Sequence, residues 1–413
     1  MKEAALMNDI CIHENSIAHL KFTAQWQDDI GKHTAIQHIK KFHIWRDMDL
    51  LPQPLLNDIL HHPVGKGELH IFKADELVPA RQKEKLVTLP IKNFNDRLKS
   101  GESVQPRAGR FYPMGWFRGV NGIYSENMFP ARLVEMTENN IVVDFNHPLA
   151  GQELVLGVEI LEIFPPSDEH GGRCTDVIEE FLGHGPGMQV PFNDTSTDFI
   201  VDSVFERVDE SSDEVFYKNE RKVHHLDAYA RATICDIYSG FVKPGYEVLD
   251  LMASWESHIP EGITDVKVTG LGMNEIELQS NPVLNEHVIH DLNNQPLLTY
   301  TDESFDLVIC TASVEYLTNP LTVFEEIKRV LKPGGQCIIT FSNRWFPSKS
   351  IKLWSEMHEF ERLGLVIEYF KQSGWDKGIN TFSSKGLHRP VDDPHYAQTQ
   401  ISDPVYAVWC QKS

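Results

Sequence analysis

Val248-Leu249-Asp250-Leu251-Met252-Ala253-Ser254-Trp255-Glu256 is the stretch on which the reading of this chain turns. An apolar run ends in an aspartate, the pattern of a strand that is buried in a parallel sheet and feeds a ligand-binding turn. Such turns are built from glycine, because backbone must approach the ligand closely and take torsions that side chains resist. Here Met252, Ser254 and Glu256 hold the positions where glycine is expected. The same nine residues announce a binding turn and alter it.

Working outward, helices and strands alternate. A helix over 227–238 precedes a strand over 246–251, and a second strand over 266–271 leads to a helix starting near Asn274. A third strand covers 305–310. A helix over 320–331 follows, with Val323, Phe324, Ile327, Val330 and Leu331 on one face, and then the turn Lys332-Pro333-Gly334-Gly335 and a strand over 336–341. Strands separated by helices predict a parallel sheet with crossover helices. Residues 17–163 read differently. They are strand-rich and end in Ile141-Val142-Val143-Asp144 and in the strictly alternating run from Glu153 to Ile163, which predicts a half-buried antiparallel strand. Between the halves, Pro165-Pro166-Ser167-Asp168-Glu169-His170-Gly171-Gly172 is a turn-rich break. The expected organisation is a domain over 1–165, an acidic linker segment over 166–219 and a domain over 220–413.

A chain of 413 residues suffices for two or three cores. Its net charge of −22 argues against nonspecific nucleic-acid binding, which needs Lys and Arg to displace counterions from phosphates. The six cysteines are scattered without CxxC spacing, so neither a disulfide framework nor structural zinc is expected. The nineteen histidines include the adjacent pairs His61-His62 and His224-His225, but neither pair has the HxxxH or HxxEH spacing that puts two rings on one helix face, and no metal site is expected. No apolar run approaches the ~18 residues of a membrane span. A cytoplasmic protein without membrane or nucleic-acid partners is the expectation.

Asn146-His147-Pro148-Leu149-Ala150-Gly151-Gln152, followed by the alternating strand, resembles the end of the SlyD-like subfamily of FKBP-type prolyl isomerases. The stretches Leu51-Pro52-Gln53-Pro54-Leu55-Leu56 and Pro63-Val64-Gly65-Lys66 resemble that family's short helix and following turn. The resemblance implies an α+β domain with an inserted flap over about 86–143. It also implies a proline pocket around Phe22, Leu55, Leu77, His147 and Leu156, and a protein or peptide client. The pocket's polar fittings are missing: no aspartate follows the first hairpin, and Leu77 holds the tyrosine position. The flap carries Phe111, Tyr112, Met114, Trp116, Phe117, Tyr124 and Phe129, which serve either a small β-core or a client surface.

From about Val223 the chain is similar to class I S-adenosylmethionine-dependent methyltransferases of type 11, with an α/β Rossmann-like fold. The resemblance rests on Val248-Leu249-Asp250-Leu251, Val268-Thr269-Gly270-Leu271-Gly272-Met273-Asn274, His290-Asp291-Leu292, Phe305-Asp306-Leu307-Val308-Ile309 and Arg329-Val330-Leu331-Lys332-Pro333-Gly334-Gly335 in that order. It implies S-adenosylmethionine as cofactor, bound by Asp250, Leu251, Met252, Ser254, Gly272, Met273, Asp291, Leu292 and Thr311. Asp250 would engage the amino group, and Asp291 with the Leu292 backbone would engage the adenine. Gly272 stands where the family has the acid that accepts two ribose hydroxyls, a loss worth ~2–3 kcal/mol. Glu315 and Tyr316, in the loop after the third strand read above, are the candidate bases. Two functions follow as expectations: a methyltransferase of unknown acceptor whose SlyD-like isomerase or chaperone domain recruits a protein or peptide, or a non-enzymatic chaperone or binding protein on a degenerate transferase scaffold.

Overall fold

The computed structural model describes residues 11–95, 104–165, 171–183, 197–201, 203–375 and 377–413. The chain divides into two compact units, one made of 1–28, 32–195 and 382–388, the other of 29–31, 196–381 and 389–413.

The first unit is built on an antiparallel sheet of β1 (Ile17–Gln27), β2 (Lys32–His43), β3 (Gly65–Phe72) and β8 (Leu154–Phe164), ordered β2-β1-β8-β3. Every second residue of β1 faces inward: Ala18, Leu20, Phe22, Ala24 and Trp26 are all buried. Helix α1 (Gln53–Ile59) starts behind Pro52 and adds Leu55 and Ile59 to the same core. Between β3 and β8 the chain forms a second sheet, ordered β4-β7-β6-β5, from β4 (Leu86–Pro90), β5 (Phe111–Pro113), β6 (Pro130–Met136) and β7 (Asn140–Asp144). This sheet falls on the segment read from the sequence as an inserted flap. Its aromatics serve mainly as a core, with Phe94, Tyr112 and Phe117 packed on Leu133, Ile141 and Val143, while Tyr124 is 75% exposed. Residues 96–103 of the flap lie outside the described residues.

The segment read as a linker supplies residues to both cores. Helix α2 (Val177–Gly183) buries Val177, Ile178, Phe181 and Leu182 in the first unit, and Phe199 and Val204 are buried in the second. Residues 166–170 of the turn-rich break, and 184–196, lie outside the described residues.

In the second unit β9 (Glu247–Leu251), β10 (Lys267–Gly272), β11 (Glu286–Ile289), β12 (Phe305–Thr311) and β13 (Leu331–Phe341) are parallel, ordered β11-β10-β9-β12-β13. An antiparallel strand, Val405–Gln411, pairs with β13. Helices α3 (Ala228–Ser239), α4 (Glu275–Ser280), α5 (Pro320–Val330) and α6 (Arg362–Gln372) complete the unit. The starts of α3 and α4 follow from their caps: Asp227 accepts from the Tyr229 and Ala230 N–H groups, and Asn274 from Ile276 and Glu277. The sequence turn at 332–335 is corrected: these residues lie inside β13 as a bulge. The pairing with β12 jumps from Phe305–Leu331 to Leu307–Gln336, with Gly334 at φ +78°. Because strand order runs outward in both directions from β9, the crevice at the carboxyl ends of β9 and β12 is the topological switch point, where open α/β sheets bind ligands.

Candidate active site

That crevice is a cavity of about 520 Å³, within the range of small-molecule sites. It receives Asp250, Met252, Ser254, Gly272, Met273, Asp291, Leu292 and Thr311, together with Tyr316. Leu251 does not reach it; its side chain is 1% exposed and sits in the sheet core. Glu315 does not reach it either, being fully buried with both carboxylate oxygens lacking a hydrogen-bond partner among the described residues.

Asp250 is 2% exposed, and its Oδ2 has no hydrogen-bond partner among the described residues. Burial pushes its carboxyl up to about 7, against a hydrogen bond from Ser257 that favours ionisation. Ser257 is held in place by the Asn281 amide at 2.8 Å, which also donates to the Ser254 carbonyl at 2.9 Å. A buried carboxylate oxygen without a partner, on the wall of a cavity, fits a cationic amino group.

Backbone strain marks the same place. Met252, just past β9, has φ +58°, and Ala312, just past β12, has φ +46°. Two non-glycine residues in the left-handed region on adjacent strand ends cost of order 1–3 kcal/mol each. The altered turn then explains Gly272. Ala253 donates its N–H to the Leu271 carbonyl at 2.7 Å, and its own carbonyl oxygen lies where a Cβ on residue 272 would have to sit. The missing glycines of the turn and the missing acid of β10 are therefore one steric change. An acid does reach the cavity from α4: Glu277 accepts from the Ser254 hydroxyl at 2.6 Å and from the Arg221 N–H at 2.6 Å. Asp291 spends one oxygen on the Asn293 and Asn294 N–H groups at 2.9 and 3.3 Å.

Beyond β12, Thr311 and Thr340 share the Tyr238 hydroxyl at 2.6 and 2.9 Å. The Tyr316 hydroxyl accepts from the Phe346 N–H at 2.9 Å, and burial drives its pKa well above the usual phenol value. It is therefore no base at neutral pH. Burial likewise pushes the Glu315 carboxyl up to about 8, with Arg362 pulling the other way. An acid whose pKa rises on folding loses its stabilising contribution as pH climbs from the ordinary carboxylate range to about 8. Glu315→Gln is expected to flatten that decline and to add about 1–2 kcal/mol at pH 8, read by denaturant unfolding at pH 5 and pH 8. An unchanged pH slope would contradict the assignment.

Several residues in and beside the cavity carry no sequence motif. Lys349 is fully buried and pairs with Asp209 and Asp213 at 3.2 Å each, while Arg207 donates twice to Asp213 at 2.8 Å. The Asn293 amide donates to Asp213 at 2.8 Å and to the Tyr316 carbonyl at 2.9 Å, and its oxygen accepts from the Thr318 N–H. These contacts fasten residues 207–213 beside the site. Glu256, at a former glycine position, accepts from His224 at 3.0 Å and lies 3.5 Å from Arg231 and 3.6 Å from His258. Trp255 packs its ring 4.7 Å from His224 on the cavity wall.

In the first unit, Phe22, Leu55 and Leu156 are at most 1% exposed and belong to the core, with Leu77 packed against it. His147 takes the Leu149 N–H on Nδ1 at 3.1 Å, leaving its buried Nε2 without a partner among the described residues; burial lowers its pKa to about 4.

Residues 265–339 match the methyltransferase domain family. The matched segment holds β10, β12, Gly272, Asp291 and Thr311 of the second unit, and S-adenosylmethionine is the cofactor that the match implies. The chain is 33% identical over 108 residues to the ubiquinone/menaquinone biosynthesis C-methyltransferase UbiE of Hydrogenovibrio crunogenus, covering 24% of this chain and 42% of that protein. It is 25% identical over 171 residues to the enzyme of the same name from Laribacter hongkongensis, covering 37% and 68%. It is also 28% identical over 109 residues to the short-type peptidyl-prolyl cis-trans isomerase of Methanocaldococcus jannaschii, covering 26% and 68%. The chain thus spans between about two fifths and two thirds of these relatives. Among solved structures, a methyltransferase from Aquifex aeolicus aligns over 46% of this chain and 92% of its own at 18% identity and a TM-score of 0.30. No helix among the described residues is long and apolar enough to cross a membrane.

Proposed function

We propose that the second unit transfers a methyl group from S-adenosylmethionine, and that the observation carrying this is the unpartnered, buried Asp250 oxygen on the cavity at the ends of β9 and β12. Bound there, S-adenosylmethionine supplies an electrophilic methyl group on a sulfonium. The chain's own part is to hold the amino group at Asp250, to exclude water with Trp255 and Met252, and to align an acceptor beyond Thr311. Glu277, fixed by Ser254 and Arg221, is the acid nearest in kind to the one that Gly272 lacks. The first unit is read as an FKBP-type, SlyD-like module that binds a protein or peptide client, supported by its motif Asn146–Gln152 and the isomerase relative.

Calorimetric titration of S-adenosylmethionine and S-adenosylhomocysteine into the full chain tests the first reading. Saturable heat with a 1:1 end point is the expected result. Absence of heat and of any thermal shift at millimolar cofactor sinks it. It would then favour the second reading, a non-enzymatic binding protein, which draws support from the filled glycine positions and the inward packing of Phe22, Leu55 and Leu156.

A further inference from the structure

We infer that the cavity has an acceptor compartment built for a hydroxylated aromatic acid, with His225 as the base that takes the hydroxyl proton. This deepens the methyltransferase reading and rests on it. The compartment is the part of the cavity lined by Tyr316, His225 and Phe346, and its hub is Phe346. Around that ring stand His225 at 5.1 Å, Phe216 at 5.5 Å and Tyr316 at 6.0 Å, the first two edge-on and the last tilted by 30°. His225, Tyr316 and Phe346 line the cavity, with Phe216 packed behind Phe346, and flat walls of this kind suit a flat guest, since offset and edge-on contacts of aromatic rings are the favoured ones.

The polar groups select further. Arg344 lines the cavity, and its nearest carboxylate is Asp403 at 4.0 Å, which is itself bound more closely by Arg389. Arg221 lies 4.4 Å over Phe216 and 5.6 Å from Phe346. The Trp345 indole N–H, also at the cavity, has no hydrogen-bond partner among the described residues. Two guanidinium groups and a free donor beside aromatic walls call for an anionic group on the guest, such as a carboxylate.

The base follows by elimination. His224 and His258 are engaged with Glu256, and His290 shares its Nε2 with the Gln295 carbonyl at 2.7 Å. Asp213 is paired with Arg207 and Lys349, Glu277 is held by Ser254 and Arg221, and Asp291 caps two N–H groups. His225 alone of the four cavity histidines has neither a hydrogen bond nor an ion pair among the described residues. It is placed firmly, two residues ahead of Asp227, which caps α3 and is bound by the Ser402 hydroxyl at 2.7 Å and the Asp403 N–H at 2.6 Å. The charged and titratable groups around it are Arg221, Glu277, Arg344 and His224; burial first, then the arginines, lower its pKa, so at neutral pH it is the free imidazole. In the step, the acceptor oxygen forms the new bond to the methyl carbon as the carbon–sulfur bond breaks with its electron pair left on sulfur. The hydroxyl proton goes to His225, which becomes imidazolium and releases it to water.

The test is methyl transfer by the full chain from labelled S-adenosylmethionine to 4-hydroxybenzoate, protocatechuate and caffeate, with binding of S-adenosylhomocysteine measured alongside. The expected result is transfer to at least one of them. His225→Ala should lower kcat about 100-fold with cofactor binding unchanged, with partial rescue by added imidazole. Arg344→Ala should raise KM about tenfold with kcat nearly kept. Cofactor binding without transfer to any of the three overturns the acceptor class, and transfer that His225→Ala leaves intact overturns its role. Absence of cofactor binding fells the underlying methyltransferase reading instead, and the inference with it.

Discussion

Asp250→Asn is expected to weaken cofactor binding by about 100-fold while raising the thermal midpoint of the unliganded protein. The two effects have one origin. The unpartnered, buried carboxylate oxygen costs about 1–3 kcal/mol in the empty site and returns that cost only when a cation arrives. An amide of the same shape avoids the charge and cannot bind the cation as strongly. The pH dependence has a definite sign. With the carboxyl raised to about 7, the folded protein holds a proton that the unfolded chain has released, so the stabilising contribution of this group is complete below the ordinary carboxylate pKa and is lost as pH climbs to about 7. The gain in Asp250→Asn should thus be largest at pH 8 and vanish near pH 4. Binding to the unmodified protein should fall about tenfold from pH 8 to pH 6 as Asp250 takes up its proton. Calorimetry and thermal unfolding of both proteins across that range decide it. Equal affinity, or a lower midpoint in the variant at pH 8, would refute the placement of the cofactor at Asp250.

Gly272→Asp, which restores the family's acid at the end of β10, is expected to damage the protein rather than improve it. The new Cβ meets the Ala253 carbonyl oxygen, backbone that is itself pinned by the bond from Ala253 to Leu271, with Leu278 Cδ2 at 3.1 Å on another side. Forcing such overlap costs about 2–3 kcal/mol, and at ~2–4 °C per kcal/mol for a domain of this size the midpoint falls by roughly 5–10 °C. Changing Ala253 to glycine will not relieve it, because the obstacle is main chain. Differential scanning fluorimetry with and without S-adenosylmethionine checks both halves of the claim. A variant of unchanged stability that binds the cofactor more tightly would show that the two departures are independent.

Much of the second unit was legible because its signals are local. Apolar runs of strand length, the caps Asp227 and Asn274, and the amphipathic 320–331 pattern place α3, α4, α5 and four of the parallel strands within a residue or so, apart from the bulge at 332–335. Helix α6 was not, since Leu363, Leu365, Val366, Ile367, Tyr369 and Phe370 are all buried and blur the 3.6-residue period. The strands Glu286–Ile289 and Val405–Gln411 are not among the elements read from the sequence, Glu286–Ile289 being only four residues long. At the site, the departure at Met252, Ser254, Glu256 and Gly272 was visible, but not that Ala253 links them, because that is a contact between strands 20 residues of sequence apart. Glu315 looked like a base by position in a loop. Its burial depends on packing that no spacing reports. Asn293, Lys349 and His225 come from loops and Asp213 from a four-residue helix, all without periodicity and brought together only by the fold.

One amide, that of Asn293, holds the loop after β12 at the Tyr316 carbonyl and the 207–213 segment at Asp213. Those two pieces of chain are therefore coupled through one side chain: lifting the segment removes one of the two acceptors that orient the amide at the Tyr316 loop. In amide hydrogen exchange, residues 207–213 and 313–318 should accordingly exchange as a single kinetic unit, although about a hundred residues of chain lie between them. Traffic in and out of the cavity would then be governed by one latch rather than by two independent loops.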